Sequence, residues 1–299
     1  MIFKYFVMAR IFMKISKRRR GNEEYFYLQH SFRKKGKVVT REIYLGKTIP
    51  ANIDEIKIKL EHESREALYE KLEKIKKQFQ REWGRIPGSA RDREKEEIAI
   101  AFTYNTNAIE GSTITLSESR EIIQDKIAPN KPLGDIKETE AHAKVFLNTL
   151  NKKEKMTKEL FLKWHQEVFG ETKSDISGKF RRYLVRVGNY IAPNWQDIDK
   201  LMEQLIKFIK EESKMNPVEV AARAHYRFER IHPFGDGNGR VGRLLMNHIL
   251  WHNNYPMLII EYKKRISYYK ALQKGEEGFV KYFIGRFLAV HKKRYLSEK

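Results

Sequence analysis

Between His232 and Arg243 the chain reads His-Pro-Phe-Gly-Asp-Gly-Asn-Gly-Arg-Val-Gly-Arg. His232 could take a proton from a hydroxyl near neutral pH. Asp236 is a hard oxygen donor of the kind that holds Mg2+ beside phosphates, with waters completing the shell. Gly235, Gly237, Asn238 and Gly239 form a loop without bulky side chains, so backbone N–H groups can approach an anion closely. The apolar run from Val241 to Leu250 predicts a helix beginning there, which would set the loop on a positive helix N-terminus. Arg240 and Arg243, at the start of that helix, suit a polyphosphate better than a neutral ligand. Asn238 could donate from its amide to a phosphate oxygen, and Phe234 would anchor the loop. A nucleotide phosphate would then supply the electrophile. The plainer reading, a glycine-rich turn before a basic helix, leaves the histidine, the aspartate and the arginine spacing unexplained.

The elements that must position these residues are mostly helical. Ile56, Leu60, Leu68, Leu72, Ile75, Phe79 and Trp83 recur at three- and four-residue steps, predicting a long amphipathic helix from Asp54 to Trp83 that packs in the core or serves a homodimer. Further helices are expected over 91–108, over 115–127 behind a Thr115/Glu118 capping box, over 135–150, and over 158–169 behind Thr157. Others should cover 197–212, 217–231 with Pro217 in the first turn, 241–251 and roughly 265–290. Alternation from Phe180 to Val187, the Gly188-Asn189 pair and Tyr190-Ile191 predict a short hairpin. Near the start, Tyr25–Phe32 and Val38–Leu45 flank Lys34-Lys35-Gly36-Lys37 and read as a second hairpin. The expected organisation is a basic β-hairpin segment over 1–50, a long helix over 51–94, and an all-α body over 95–295.

Sixty Lys and Arg against 39 Asp and Glu give a net charge of +21, which favours anionic partners without choosing among them. Residues 1–50 hold 13 of those cations and three acids. Lys17-Arg18-Arg19-Arg20 and the turn lysines could clamp a phosphate backbone, with Tyr25, Phe26 and Tyr27 stacking on bases, so nucleic acid is a candidate partner of residues 14–47. A solvated edge that discourages strand pairing would account for the same lysines. The absence of cysteine excludes disulfides and thiolate metal sites and points to a cytoplasmic location. No apolar run approaches the length of a membrane span, so no membrane partner is expected. The apolar first thirteen residues are interrupted by Lys4 and Arg10 and lack a signal-peptide cleavage site; Met8 and Met13 offer alternative starts.

The 232–243 stretch resembles the signature of the Fic family, His-x-Phe-x-Asp/Glu-Gly-Asn-Gly-Arg-x-x-Arg, with each constrained position filled. Thr106-Asn107-Ala108-Ile109-Glu110-Gly111 is similar to that family's inhibitory motif, and Gly178, Phe180 and Arg181 fit its G-x-[FY]-R segment. The resemblance spans about residues 95–290. It implies a Fic-type helical bundle with a hairpin flap, here around Arg186, Val187, Gly188 and Asn189, that holds a target segment by strand pairing. It also implies transfer of AMP from ATP to a Ser, Thr or Tyr hydroxyl of a target protein, with Mg2+ as cofactor. His232 would be the base and Asp236 the metal ligand. Gly237–Gly239 would be the phosphate loop, Arg240 a phosphate contact and Arg243 the γ-phosphate grip. Glu110 would pair with Arg243 and restrain the reaction. Two alternatives stand beside this: Glu110 could position water to remove AMP from a modified protein, or the chain could be a nucleic-acid-binding regulator acting through its basic N-terminal segment.

Overall fold

A computed structural model of the chain describes residues 13–34, 37–50, 52–188, 190–212 and 215–296. The expected turn glycine Gly36, the flap residue Asn189 and the apolar first twelve residues therefore lie outside the described residues.

The N-terminal segment holds the expected hairpin and one strand more, making a three-stranded antiparallel sheet. Its strands are β1 (Met13–Arg20), β2 (Glu23–Lys34) and β3 (Lys37–Gly46), in the spatial order β1-β2-β3. The extra strand, Met-Lys-Ile-Ser-Lys-Arg-Arg-Arg, escaped the sequence pattern because an edge strand needs little apolar character. It turns into β2 at Gly21, whose φ of +61° is left-handed. One face of the sheet buries Leu28 and Leu45 against Leu60 of α1 (Ile53–Arg85), with Phe26, Ile43, Ile53 and Ile56 packed around them. Phe26 is thus a core residue and not the stacking surface expected of it.

The chain divides into two compact units, one ending at Lys74 and the other starting at Ile75, inside α1. The second unit is helical: α2 (Gly88–Ile109), α3 (Leu116–Arg120) running into a π-helical turn Glu121–Asp125, α4 (Leu133–Asn151), α5 (Lys158–Phe169), α6 (Ile198–Glu211), α7 (Pro217–Ile231), α8 (Asn238–His252), α9 (Arg265–Leu272) and α10 (Gly275–Tyr295). The Thr115/Glu118 capping box forms as expected, and Thr157 and Asn216 cap α5 and α7. Three boundaries moved. The expected 115–127 helix relaxes after Arg120 and ends at the left-handed Lys126. The expected 265–290 helix is split at Gly275, with a φ of +80°. The flap is smaller than its sequence alternation: among the described residues Arg186–Val187 (β4) pairs with Tyr190–Ile191 (β5), and the Ala192 N–H donates to the Val185 carbonyl at 3.0 Å.

Apolar side chains stack across the body's helices. Phe102 of α2 lies 4.3 Å from Phe146 of α4, and Phe161 of α5 stacks on Phe228 of α7 at 5.3 Å. Phe228, Phe234, Val241, Leu244 and Leu245 are fully buried, so both sides of the α7–α8 turn are fixed from beneath.

Candidate active site

His232 ends α7. Its φ of 50° and ψ of 60° are left-handed, a conformation that costs a non-glycine residue about 1–2 kcal/mol. Pro233 disfavours helical geometry at the residue before it, so the helix must stop here. The turn is held by Arg181, only 4% exposed. Its guanidinium donates to the carbonyl oxygens of His232 (2.8 Å), Tyr183 (2.6 Å) and Pro193 (2.8 Å), and its backbone N–H donates to the Pro233 oxygen at 2.9 Å. One buried cation therefore joins the segment leading into the flap, the segment leaving it and the histidine turn. Burial pushes the His232 imidazole below its ordinary range, with Arg181 adding to the effect, against the opposing pull of the Glu229 carbonyl, Glu110 and Asp236. The ring is neutral at pH 7 and able to accept a proton.

The loop after it is braced from three sides. Asn238, 2% exposed, accepts from the Phe234 N–H and donates to the Phe234 oxygen, both at 2.9 Å. Its amide thus braces the turn against the backbone. His165 of α5 stacks on Phe234 with ring centroids 3.9 Å apart. Gly178 donates to its Nδ1 at 3.0 Å, which places the ring proton on Nε2, 3.0 Å from the Asp236 carbonyl oxygen. Gly237, with a φ of +76°, opens α8 three residues earlier than the apolar run had indicated. No side chain caps this helix start, so the N–H groups of its first turn remain for an anion. Added side chains at Gly237 and Gly239 would collide with Phe169 and with the Glu110 carboxylate, respectively.

Arg243 is 1% exposed. Its Nη2 donates to Glu110 Oε1 at 2.6 Å and to the Thr106 carbonyl at 3.2 Å, while Nε donates to the Thr106 hydroxyl. Burial would lower this guanidinium's affinity for its proton, but Glu110, Tyr268 and Glu229 outweigh that and raise it. Thr106 and Glu110 lie one helical turn apart on α2, and Gly111, with a φ of +96°, turns the chain away after them. The Glu110 carboxylate thus stands against the glycine loop and its arginine at once.

Arg240 makes a contact the sequence did not suggest. Its guanidinium lies 4.3 Å above the Phe169 ring and pairs with Glu138 of α4. Its side chain is 7% exposed, and it supports the loop from beneath. Glu138 also accepts from Thr172 at 2.8 Å and pairs with Lys173 at 2.9 Å. Burial would raise its carboxyl, but Arg240, Lys173 and Thr172 hold it below the ordinary range. Lys173 in turn pairs with Asp236 at 2.8 Å, and the Gly237 N–H donates to the same carboxylate at 2.6 Å. Burial raises the Asp236 carboxyl less than Lys173, Arg240 and that N–H lower it. Asp236 is ionised, half exposed and beside the loop, which fits a Mg2+ ligand. Among the described residues no cluster of three or more His, Cys, Asp or Glu could hold a metal by itself. A single carboxylate with phosphates and water is how Mg2+ is usually held.

The structure thus brings together His232, Asp236, Gly237, Gly239, Arg243, Glu110 and Thr106. Gly235 lies in the same turn, packed under the Tyr183 hydroxyl. Arg186, Val187 and Gly188 stand apart from this cluster on the exposed flap hairpin, where Leu184 and Ile191 are 66% and 57% exposed. His165, Glu138 and Lys173 were not legible as site residues, since each lies on or after a helix far from the signature in sequence.

Residues 155–250 match the Fic/DOC family. The chain is 38% identical over 204 residues to the protein adenylyltransferase Fic of Culex quinquefasciatus, covering 66% of this chain and 41% of the relative. It is 36% identical over 208 residues to the protein of that name in Drosophila ananassae, covering 66% and 41%. The solved structure of Fic-1, residues 134–508, from C. elegans superposes with a TM-score of 0.68 at 25% identity, covering 82% of this chain and 75% of that one. The chain spans less than half the length of these two insect relatives. With the signature loop, its supporting helices and these likenesses together, the chain belongs to the Fic/DOC family.

Proposed function

We propose that this protein is an adenylyltransferase that moves AMP from ATP to a Ser, Thr or Tyr hydroxyl of a target protein and is restrained by its own Glu110. The observation that carries this reading is the 2.6 Å pair between Glu110 and Arg243 beside the glycine loop. A carboxylate held there competes with an anionic ligand for a buried guanidinium. The insect relatives carry the name of the same activity.

The N–H groups at the start of α8 receive the phosphates, and Arg243 takes their outer end once Glu110 has withdrawn. Neutral His232 accepts the proton of the target hydroxyl as that oxygen bonds to the α-phosphorus, and the bond to the pyrophosphate oxygen breaks. Mg2+ bound at Asp236 would supply charge neutralisation for the phosphates. The flap backbone, with its exposed apolar side chains, would align the target segment by strand pairing.

The test is incubation of the full chain with a lysate and ATP labelled at the α- or γ-phosphate. Label from the α position alone, adding the mass of one adenylyl group and lost in His232→Ala, is expected. Transfer of γ-label, or transfer that survives His232→Ala, would overturn the reading.

A further inference from the structure

Among the described residues of the N-terminal unit, one face of the sheet packs on the first turns of α1, and the other face has no such cover. The antiparallel register sets Tyr25 opposite Arg18, and Tyr27 opposite both Ser16 and Tyr44, on the open face. Tyr44 is 55% exposed, and its ring centroid lies 6.0 Å from that of Tyr25 and 5.4 Å from that of Tyr27. The Arg18 guanidinium lies 4.5 Å above the Tyr27 ring, extending the same platform. An exposed tyrosine patch in the middle of a sheet serves neither the core nor solubility.

The charge is one-sided. β1 is an edge strand whose cations are all exposed; Lys14, Arg18 and Arg20 share the face of the tyrosines, with Arg18 paired to Glu42 at 2.6 Å, while Lys17 and Arg19 lie on the other face, Lys17 paired to Glu24 at 2.5 Å. Among the described side chains of β3 the only cation is Arg41, and Glu42 stands beside Tyr44. A groove reader on a duplex meets phosphates on both flanks. A cationic rail on one edge, with a row of rings beside it, matches a single strand whose phosphates follow the rail and whose bases lie on the rings. From Lys14 to Arg20 the rail is about 20 Å long, on the order of four nucleotides. Gln29, Glu42 and the Ser31–Thr40 hydroxyl pair (2.9 Å) continue the open face. Glu42, which accepts from Arg18 and from Gln29 at 2.6 Å each, opposes phosphate there but can also accept from a 2′-hydroxyl or a base amino group.

We propose that the open face of β1–β3 binds single-stranded RNA, with backbone phosphates on the β1 cations and bases on Tyr25, Tyr27 and Tyr44. This surface belongs to the N-terminal unit and needs no ATP, so its test is independent of the adenylyl reading.

The measurement is fluorescence anisotropy of a labelled mixed-sequence 12-nucleotide RNA titrated with the full chain, without nucleotide. Binding should weaken with salt with a log–log slope of about −2 to −3, the value for three to four phosphates on a single strand. Tyr44→Ala and the double variant Lys14→Glu/Arg20→Glu should each weaken it about tenfold or more. Both alter exposed side chains, and autolabelling with ATP should stay at the level of the parent protein. Binding unaffected by either variant overturns the proposal. So does competition by the same sequence as DNA, by duplex RNA or by phosphatidylserine vesicles that equals that of the single-stranded RNA.

Discussion

At the scale of single residues, the site is a set of charges that hold one another. Glu110 holds Arg243, and Lys173 holds Asp236. These pairs differ in what surrounds them. Arg243 is buried, so its partner exchange involves a desolvated guanidinium and a strong hydrogen bond. The Lys173–Asp236 pair is partly exposed, with 29% and 50% of the side chains accessible, and is worth about 1 kcal/mol or less. On the proposed reading, Lys173 would compete weakly with a cation at Asp236. Lys173→Met should lower the Mg2+ midpoint for binding a fluorescent ATP analogue about fivefold. A midpoint unchanged or raised would show that Lys173 helps the cation instead. The depressed His232 imidazole carries a prediction of its own. Since its neutral form persists below the ordinary histidine range, the acid limb of the transfer rate should fall below pH 6.5. An acid limb above pH 6.5 would mean that Glu110 and Asp236 dominate its environment.

At the scale of elements, the parts of the fold that side-chain chemistry writes locally were legible. The capping box at Thr115, the caps at Thr157 and Asn216, and Pro217 at a first turn each mark a boundary found in the structure. What was not legible depends on tertiary neighbours. β1 reads as a basic tail because its pairing with β2 does the work that apolar residues would do elsewhere. The start of α8 was hidden by glycines that are poor helix formers yet are required where Phe169 and Glu110 press on the loop. In the signature, Asn238 and Arg240 have the residue types of phosphate ligands, and only the fold shows them turned to Phe234 and Glu138. Arg181 is the element-level counterpart, because its guanidinium ties the segments on both sides of the flap to the His232 turn. Arg181→Met would remove the donor to the carbonyls of Tyr183, Pro193, Ile231 and His232. We expect transfer to drop about tenfold to a hundredfold, faster amide exchange over 182–192, and nearly unchanged ATP binding. Loss of ATP binding with an unaltered flap would place the role of Arg181 in the phosphate loop.

At the scale of the whole molecule, the helical unit is built on buried neutral histidines. Burial lowers His142 and His225 to about 3, and His165, His248 and His291 to about 4. In each case the unfolded chain binds the proton first. Stability is therefore full above pH 6.5 and falls as pH drops toward 4, by up to about 1.4 kcal/mol per pH unit for each ring. Glu229, raised by burial to about 7, works in the opposite direction between 4.5 and 7 and offsets part of the loss. Thermal unfolding followed from pH 7 to pH 4 should show a steep monotonic fall in Tm. A flat profile would mean that these rings are already charged in the fold. The two units also separate the two roles proposed for the chain: its chemistry lies on one side of Lys74 and its open cationic sheet on the other.

The decisive measurement is the initial rate of autolabelling from α-labelled ATP at saturating nucleotide, for the parent chain and for Glu110→Gly. Freeing a buried guanidinium from its carboxylate should raise the rate at least about tenfold, and His232→Ala in the same background should abolish it. An unchanged rate in Glu110→Gly, or loss of an AMP-releasing activity instead of a gain in transfer, would contradict the account.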